Sequence, residues 1–246
     1  MVNERVIVID GGNIQFIAMY ASKANPNVPV EYTYLNMISG YFNKLNVTLD
    51  DEIILALDYG SWRKEIDKSY KAQRAIIAEQ EKEWRAVCYK KFNNLYEKMN
   101  ISLPIHQIKI YKAEADDIAS VCCRYYRNKE IILISSDVDW EMLLTFSNVS
   151  IFSPRSKKFK VVLNPTKVLL EKIQGDKSDN LLTKPSSEAE FIKRKMIVDL
   201  INPLPEYIEN PIKEALNKII PKNLYPHKIP FKSMQIKFAK IYKLEK

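Results

Sequence analysis

Residues 113–140 read AEADDIASVCCRYYRNKEIILISSDVDW. From Glu114 to Asp139 the stretch describes a helix, a tight link and a buried strand. Glu114, Asp116 and Asp117 open the helix, and Asp137 and Asp139 follow the strand. The run Ile131–Ile134 is apolar without alternation, which suits a strand of a parallel sheet covered on both faces. In open α/β sheets ligands bind beyond the carboxyl ends of the strands, where Asp137 and Asp139 fall. Carboxylates gathered there repel one another unless cations separate them, so a magnesium or manganese site is expected. The plainer account is a solvated strand end, with acids in a first helical turn favouring the positive end of the dipole.

The pattern recurs upstream. RVIVID (Arg5–Asp10) and EIILALD (Glu52–Asp58) are short apolar runs that end in an acid. Helical patterns between them, NIQFIAMYASKA from Asn13 and a second from about Tyr32 to Leu45, make parallel crossovers natural. Asp10, Asp58 and Asp137 then converge if their strands lie side by side. Gly11 and Gly12 are expected to allow a sharp turn, but GGN matches neither the P-loop nor G-x-G-x-x-G. Ser102–Tyr111, SLPIHQIKIY, supplies a further strand. The expected fold is α/β, a central and mostly parallel sheet flanked by helices.

Residues 59–100 contain no glycine or proline after Gly60 and read as helical and charged. Lys64, Lys68, Lys71 and Arg74, spaced four, three and three apart, form one basic stripe if the helix is continuous. Such a stripe is either a phosphate clamp above the carboxylates or a solvated face. Trp62 and Tyr70 could stack on unpaired bases, or simply pack.

Beyond Asp139, WEMLL is a short helical piece, NVSIFSP and KFKVV read as strands, and PTKVLLEKIQ is a helix with proline at its start. A calcium loop starting at Asp137 is excluded, because its glycine position holds Met142 and its twelfth position Asn148. GDKSDN places Asp176 and Asp179 three apart. From Leu181 the chain is rich in lysine, with helices over 184–201 and 210–220. The expected organisation is a core over 1–180, with an arch at about 61–100, and a basic helical extension over 181–246.

The net charge of +8 over 246 residues suits a polyanionic partner. An acidic pocket in a basic surface is what a metal-dependent nuclease requires. With three cysteines, two histidines and no C-x-x-C pair, a zinc site is not expected. Buried free thiols in a reducing compartment are expected instead. No apolar run reaches the length of a membrane span, and the opening run is too short for a signal peptide. A soluble protein of the cytoplasm is therefore expected.

Taken in order, VIVID, ILALD followed by WRKEIDKSYKAQR, EADDIAS, ILISSDVDWEML and GDKSDN resemble the structure-specific 5′-nuclease family. That family includes flap endonucleases and the 5′-exonuclease domains of bacterial DNA polymerases. The likeness spans about residues 5–180. The compact size, SSDVDW and FSPRSKKF are most similar to the ribonuclease H type of T-even phages, which would place the chain in a host cytoplasm. By this resemblance Asp10, Asp58, Glu114, Asp116 and Asp137 match a first metal cluster. Asp139, Asp176 and Asp179 match a second, with Asp117 between them, and together they hold two or more Mg²⁺ or Mn²⁺ ions. Lys71 and Arg74 match basic residues that steer the scissile phosphate, with Arg63 and Lys64 assisting and Lys68 and Tyr70 nearby.

The resemblance implies a monomer that cleaves DNA carrying a 5′ flap, nick or RNA primer and works beside replication proteins. One departure stands out. Many members follow GDKSDN with a glycine-rich turn that grips duplex DNA, often with potassium, but here LLTKPSSEAEFIKRK contains no glycine. No potassium site is expected, and duplex contact falls to Lys184, Lys193, Arg194 and Lys195. The rival readings are a PIN-type ribonuclease, disfavoured by Asp176 and Asp179, and a catalytically silent DNA-binding protein of the same shape. A haloacid-dehalogenase-type phosphatase is weaker still, since Asp10 is followed by glycines and not by D-x-D.

Overall fold

The structure, a computed structural model, describes residues 5–221 and 223–244, and of residues 75–78 the backbone alone. Six strands form one sheet: β1 (Arg5–Asp10), β2 (Glu52–Ala56), β3 (Ile105–Ile108), β4 (Glu130–Ile134), β5 (Val149–Ser153) and β6 (Lys158–Phe159). Their order is β3-β2-β1-β4-β5-β6, and all neighbours are parallel except the short β5–β6 hairpin. The helices are α1 (Gly11–Ala24), α2 (Val30–Lys44), α3 (Arg63–Ile66), α4 (Ala72–Gln80), α5 (Lys82–Ser102), α6 (Ala115–Tyr125), α7 (Pro165–Gln174), α8 (Glu188–Val198), α9 (Glu206–Asn217) and α10 (Lys232–Ile241). The expected α/β sheet is present.

Apolar strand residues serve both faces, which is why their runs do not alternate. Val6, Val8, Ile54 and Leu133 point into a layer that includes Ile118 and Cys122 of α6, Ile197 of α8 and Ile212 of α9. Ile7, Ile9, Ile53 and Leu55 point the other way, towards Ile14 of α1, Phe42 of α2, Phe92 of α5 and Phe238 of α10. The segment after Leu181 therefore packs on both faces, α8 and α9 on one and α10 on the other. All three cysteines are buried free thiols. Among the described residues no helix is long and apolar enough to cross a membrane.

Two local expectations are corrected. Residues 59–100 do not form one helix: α3 lasts four residues, Asp67 becomes extended and Lys71 adopts φ 54°. The side chain of Asp67 accepts the N–H and O–H of Ser69, which fixes the break. Burial of Trp62, Arg63 and Tyr70 against α6 outweighs the helical propensity of the segment. Lys64, Lys68, Lys71 and Arg74 consequently do not share a helix face. Gly11 and Gly12 do not form a separate sharp turn ahead of a helix at Asn13 either, since α1 starts at Gly11 directly after β1. They are needed for close approach: a Cβ on Gly11 would lie 2.8 Å from the Ala56 carbonyl, and one on Gly12 would lie 2.9 Å from Asp58 Oδ2.

Candidate active site

Strand order reverses beside β1. The chain runs outward through β2 and β3, then returns to place β4 on the other flank. The carboxyl ends of β1, β2 and β4 thus surround a topological switch point, where such sheets bind ligands. A cleft of about 750 Å³ opens there, lined by Asp10, Asp58, Glu114, Asp116 and Asp137 together with Lys71 and Arg74.

Each acid is held by the local fold. Asp10 ends β1 and caps α1: one oxygen accepts the Asn13 N–H at 2.9 Å, the other the Ser135 hydroxyl at 2.7 Å. Asp58 Oδ1 accepts the Ala115 N–H at 2.7 Å, so α6 begins against the end of β2. Trp140 Nε1 donates to Asp116 at 2.6 Å. The Ser135 hydroxyl also accepts the Asp137 N–H at 3.0 Å, and Asn13 Oδ1 accepts the Ser136 N–H. Sequence reasoning missed Asn13, Ser135 and Trp140. All three flank a named acid or stand within three residues of one, which is the signal that could have found them.

The electrostatics call for cations. Burial, reinforced by the charges of Asp58 and Asp137, pushes the Asp10 carboxyl up to about 7 despite its two donors. Burial also raises Asp58, and it raises Asp116 well above the carboxylate range, with Asp137, Glu114 and Asp139 adding to the effect.

Asp139, Asp176 and Asp179 form a second group, with one oxygen from each lying within 4.8 Å of the others. Burial moves Asp139 up to about 6. Asp179 is buried, and its Oδ1 accepts no hydrogen bond. A buried oxygen without a hydrogen bond beside two further carboxylates, with no imidazole or thiolate in the set, fits a hard divalent cation. Lys172, which sequence reasoning missed, lies in this group and pairs with all three acids. Its spacing of four from Asp176 was the available clue.

Five residues expected at the site serve the structure instead. Asp117 is fully buried; it bonds the Glu114 N–H at 2.8 Å and pairs with Arg63 at 2.8 Å, so it has no oxygen facing the cleft. Arg63 is also buried: it donates to Glu114, Asp117 and the Ile197 carbonyl, and cannot reach a phosphate. Tyr70 is buried with its hydroxyl on Glu114, and Trp62 is buried with Nε1 on Asp117, so neither offers a face to a base. Arg194 is buried and donates to the Ile173 and Thr183 carbonyls and to Glu190.

Glu114 stands between the two roles. Ser61, Arg63 and Tyr70 donate to Oε2, and Lys71 donates to Oε1 at 2.8 Å. Lys71 and Arg63 together lower its pKa against the effect of burial. With both oxygens engaged, it positions Lys71.

Arg74 is half exposed and lies 3.8 Å from Asp179. The base of α4 rests on the GDKSDN loop, through Gln73 to the Lys177 and Ser178 carbonyls and Asn180 to the Ser69 carbonyl. The far end of α4 is tied to α1: Glu81 accepts from Tyr20 at 2.6 Å and Lys23 at 2.7 Å. The segment therefore reaches from the second acid group to the opposite wall of the cleft. Lys64, Lys68, Lys184 and Lys195 are exposed, Lys193 pairs with Asp67 at 2.8 Å, and none of these five lines the cleft.

Fold and site define an α/β protein whose carboxylates gather at a sheet switch point beside two basic side chains, a set of donors that suits divalent cations. The chain belongs to the family of the 5′-3′ exonuclease N-terminal, resolvase-like domain, whose model matches residues 5–173. A curated relative, the ribonuclease H of Enterobacteria phage T4, is 27% identical over 161 residues, which is 62% of this chain and 52% of that protein. The chain thus spans about half the length of that relative. Among solved structures, the zinc-bound T5 5′-exonuclease superposes with a TM-score of 0.67 at 19% identity, covering 87% of this chain and 99% of that one. A bacteriophage T5 flap endonuclease variant in a pseudo-enzyme–product complex with DNA and metal ions gives a TM-score of 0.60 at 21% identity, covering 96% of this chain and 97% of that one. At these identities the shared property is the fold.

Proposed function

We propose that this chain is a divalent-metal-dependent, structure-specific 5′-nuclease, a phosphodiester hydrolase with flap-endonuclease and 5′-3′-exonuclease activity on DNA or RNA–DNA. The observation that carries the reading is the convergence of Asp10, Asp58, Asp116 and Asp137 in one cleft that Lys71 and Arg74 also line. The proposed cofactor is Mg²⁺ or Mn²⁺, held by these acids and by Asp139, Asp176 and Asp179. Bound divalent ions supply an activated water and charge neutralisation at the phosphate.

The protein's own residues do the positioning. Ser135, Asn13, Ala115 and Trp140 each fix one oxygen of an acid, so little rearrangement is needed when a phosphate arrives. Lys71, oriented by Glu114, and Arg74 offset the charge that builds on the phosphoryl oxygens. Exposed Lys64, Lys68, Lys184 and Lys195 are left for backbone contact with the duplex arms, and Lys193 joins them if it releases Asp67. The proposed setting is a cytoplasmic monomer acting on 5′-flapped, nicked or RNA-primed DNA beside replication proteins.

The test uses labelled 5′-flap, nicked and RNA-primed duplexes with Mg²⁺ and with EDTA, for the wild type and Asp10→Asn. Metal-dependent cuts near the junction, lost in the variant, are expected. Tight DNA binding without cutting under any divalent ion would favour the silent binding protein instead.

A further inference from the structure

Lys172 sits in the last turn of α7, and its ammonium lies inside the second carboxylate group. It pairs with Asp139, with Asp176 at 2.5 Å and with Asp179 at 3.2 Å. The residue is 8% exposed, so water does not screen these contacts. An ammonium has three N–H donors and no acceptor, and here it meets three carboxylates. The next cation, Arg74, stops 3.8 Å from Asp179. The other acid group differs: among the described residues no lysine or arginine forms an ion pair with Asp10, Asp58, Asp116 or Asp137.

The geometry points to Lys172 as a tethered cation resident in the second group, competing with a divalent ion for the same oxygens. The inference rests on the metal-dependent reading above and deepens it, because Lys172 then sets how many ions the protein holds before substrate arrives. The first group is open to an ion at once. The second takes one only when the ammonium swings away, and three carboxylates facing one ammonium and the more distant Arg74 leave a residual negative charge that favours the exchange. A phosphate in the cleft adds negative charge and strengthens that pull, so occupancy by the second ion becomes coupled to substrate. Lys172 is a positioning and selectivity residue; it touches no reacting atom.

The test is Mn²⁺ binding to the intact chain without DNA, followed by calorimetry and by paramagnetic resonance of the free ion. The wild type is compared with Lys172→Met, which is close in length and uncharged. The wild type is expected to bind one ion tightly and a second at least about tenfold more weakly, and the variant to tighten the second site by about tenfold or more. The metal-free variant is also expected to melt lower, and Mn²⁺ to restore it. An unchanged second site in the variant overturns the inference, as do two equal sites in the wild type. The latter measurement decides even if Lys172→Met fails to fold. Absence of any Mn²⁺ binding would overturn the metal-dependent reading and this inference with it, whereas two equal sites overturn this inference alone.

Discussion

Arg63 and Asp117 are joined by a hydrogen bond, Nη1 to Oδ2 at 3.0 Å, and by an ion-pair contact, Nη2 to Oδ1 at 2.8 Å, and their side chains are 2% and 0% exposed. This pair fastens the start of α3 to the first turn of α6, and α6 carries Asp116 into the cleft. An arginine fork is required, because the same guanidinium also serves Glu114 and the Ile197 carbonyl.

Removing that fork leaves buried carboxylates unpaired. Arg63→Ala is expected to cost about 3–5 kcal/mol in urea unfolding, and Arg63→Lys to recover only part of it. Equal stability of Arg63→Ala and wild type would contradict a structural role for this arginine.

Lys71 and Arg74 are expected to behave differently from Arg63. Replacing either by alanine should lower single-turnover cleavage by about 10²–10³-fold, the scale for losing one preorganised charge partner of a transition state. Arg74 is half exposed, so Arg74→Ala should change unfolding free energy by no more than about 0.5 kcal/mol. Paired cleavage and unfolding measurements on each variant check the separation.

The two adjacent glycines are expected to give distinguishable variants. Gly11→Ala pushes a Cβ against backbone, the Ala56 carbonyl at 2.8 Å, and should destabilise the fold by about 1–3 kcal/mol. Gly12→Ala meets the Asp58 carboxylate at 2.9 Å, so its main effect should be weaker Mn²⁺ binding at a nearly unchanged melting temperature. Calorimetric titration beside thermal melts reads both.

Asp67 supplies a pH dependence. Its bond to Lys193, helped by Ser69, lowers its pKa from an ordinary 3.8 to about 2. The unfolded chain therefore binds the proton more readily, and the stabilisation is present above pH 3.8 and lost as the pH falls towards 2. Asp67→Asn should show a shallower loss of stability across that acid window. Melting temperatures between pH 5 and pH 2 measure the slope; identical slopes in the two proteins would count against the pairing.

The strands and their terminal acids were legible in the sequence because both are local features. RVIVID, EIILALD and EIILISSD each state a buried strand and the acid that follows it. Placing Asp10, Asp58 and Asp137 in one cleft needed only the rule that parallel strands end together. The fates of Arg63, Tyr70 and Asp117 were not legible, because they depend on partners 44 to 54 residues away that no periodicity encodes. The same holds for the break at Lys71, where a segment with no helix breaker leaves the helix to bury Trp62 and Tyr70. Lys172 was missed although its spacing of four from Asp176 was there to read, and nothing in the sequence brings Asp139 to the same ammonium.

The acids come from the two ends of a long stretch, Asp10 at the first strand and Asp179 after α7, and the base of α4 leans on the loop that carries Asp179. During synthesis, a chain still inside the ribosome at that loop lacks both the second acid group and the support beneath Arg74. The full set of acids is therefore complete only once that loop has been made. If the proposed cleavage needs both acid groups, the order of translation acts as a safety catch on the emerging chain.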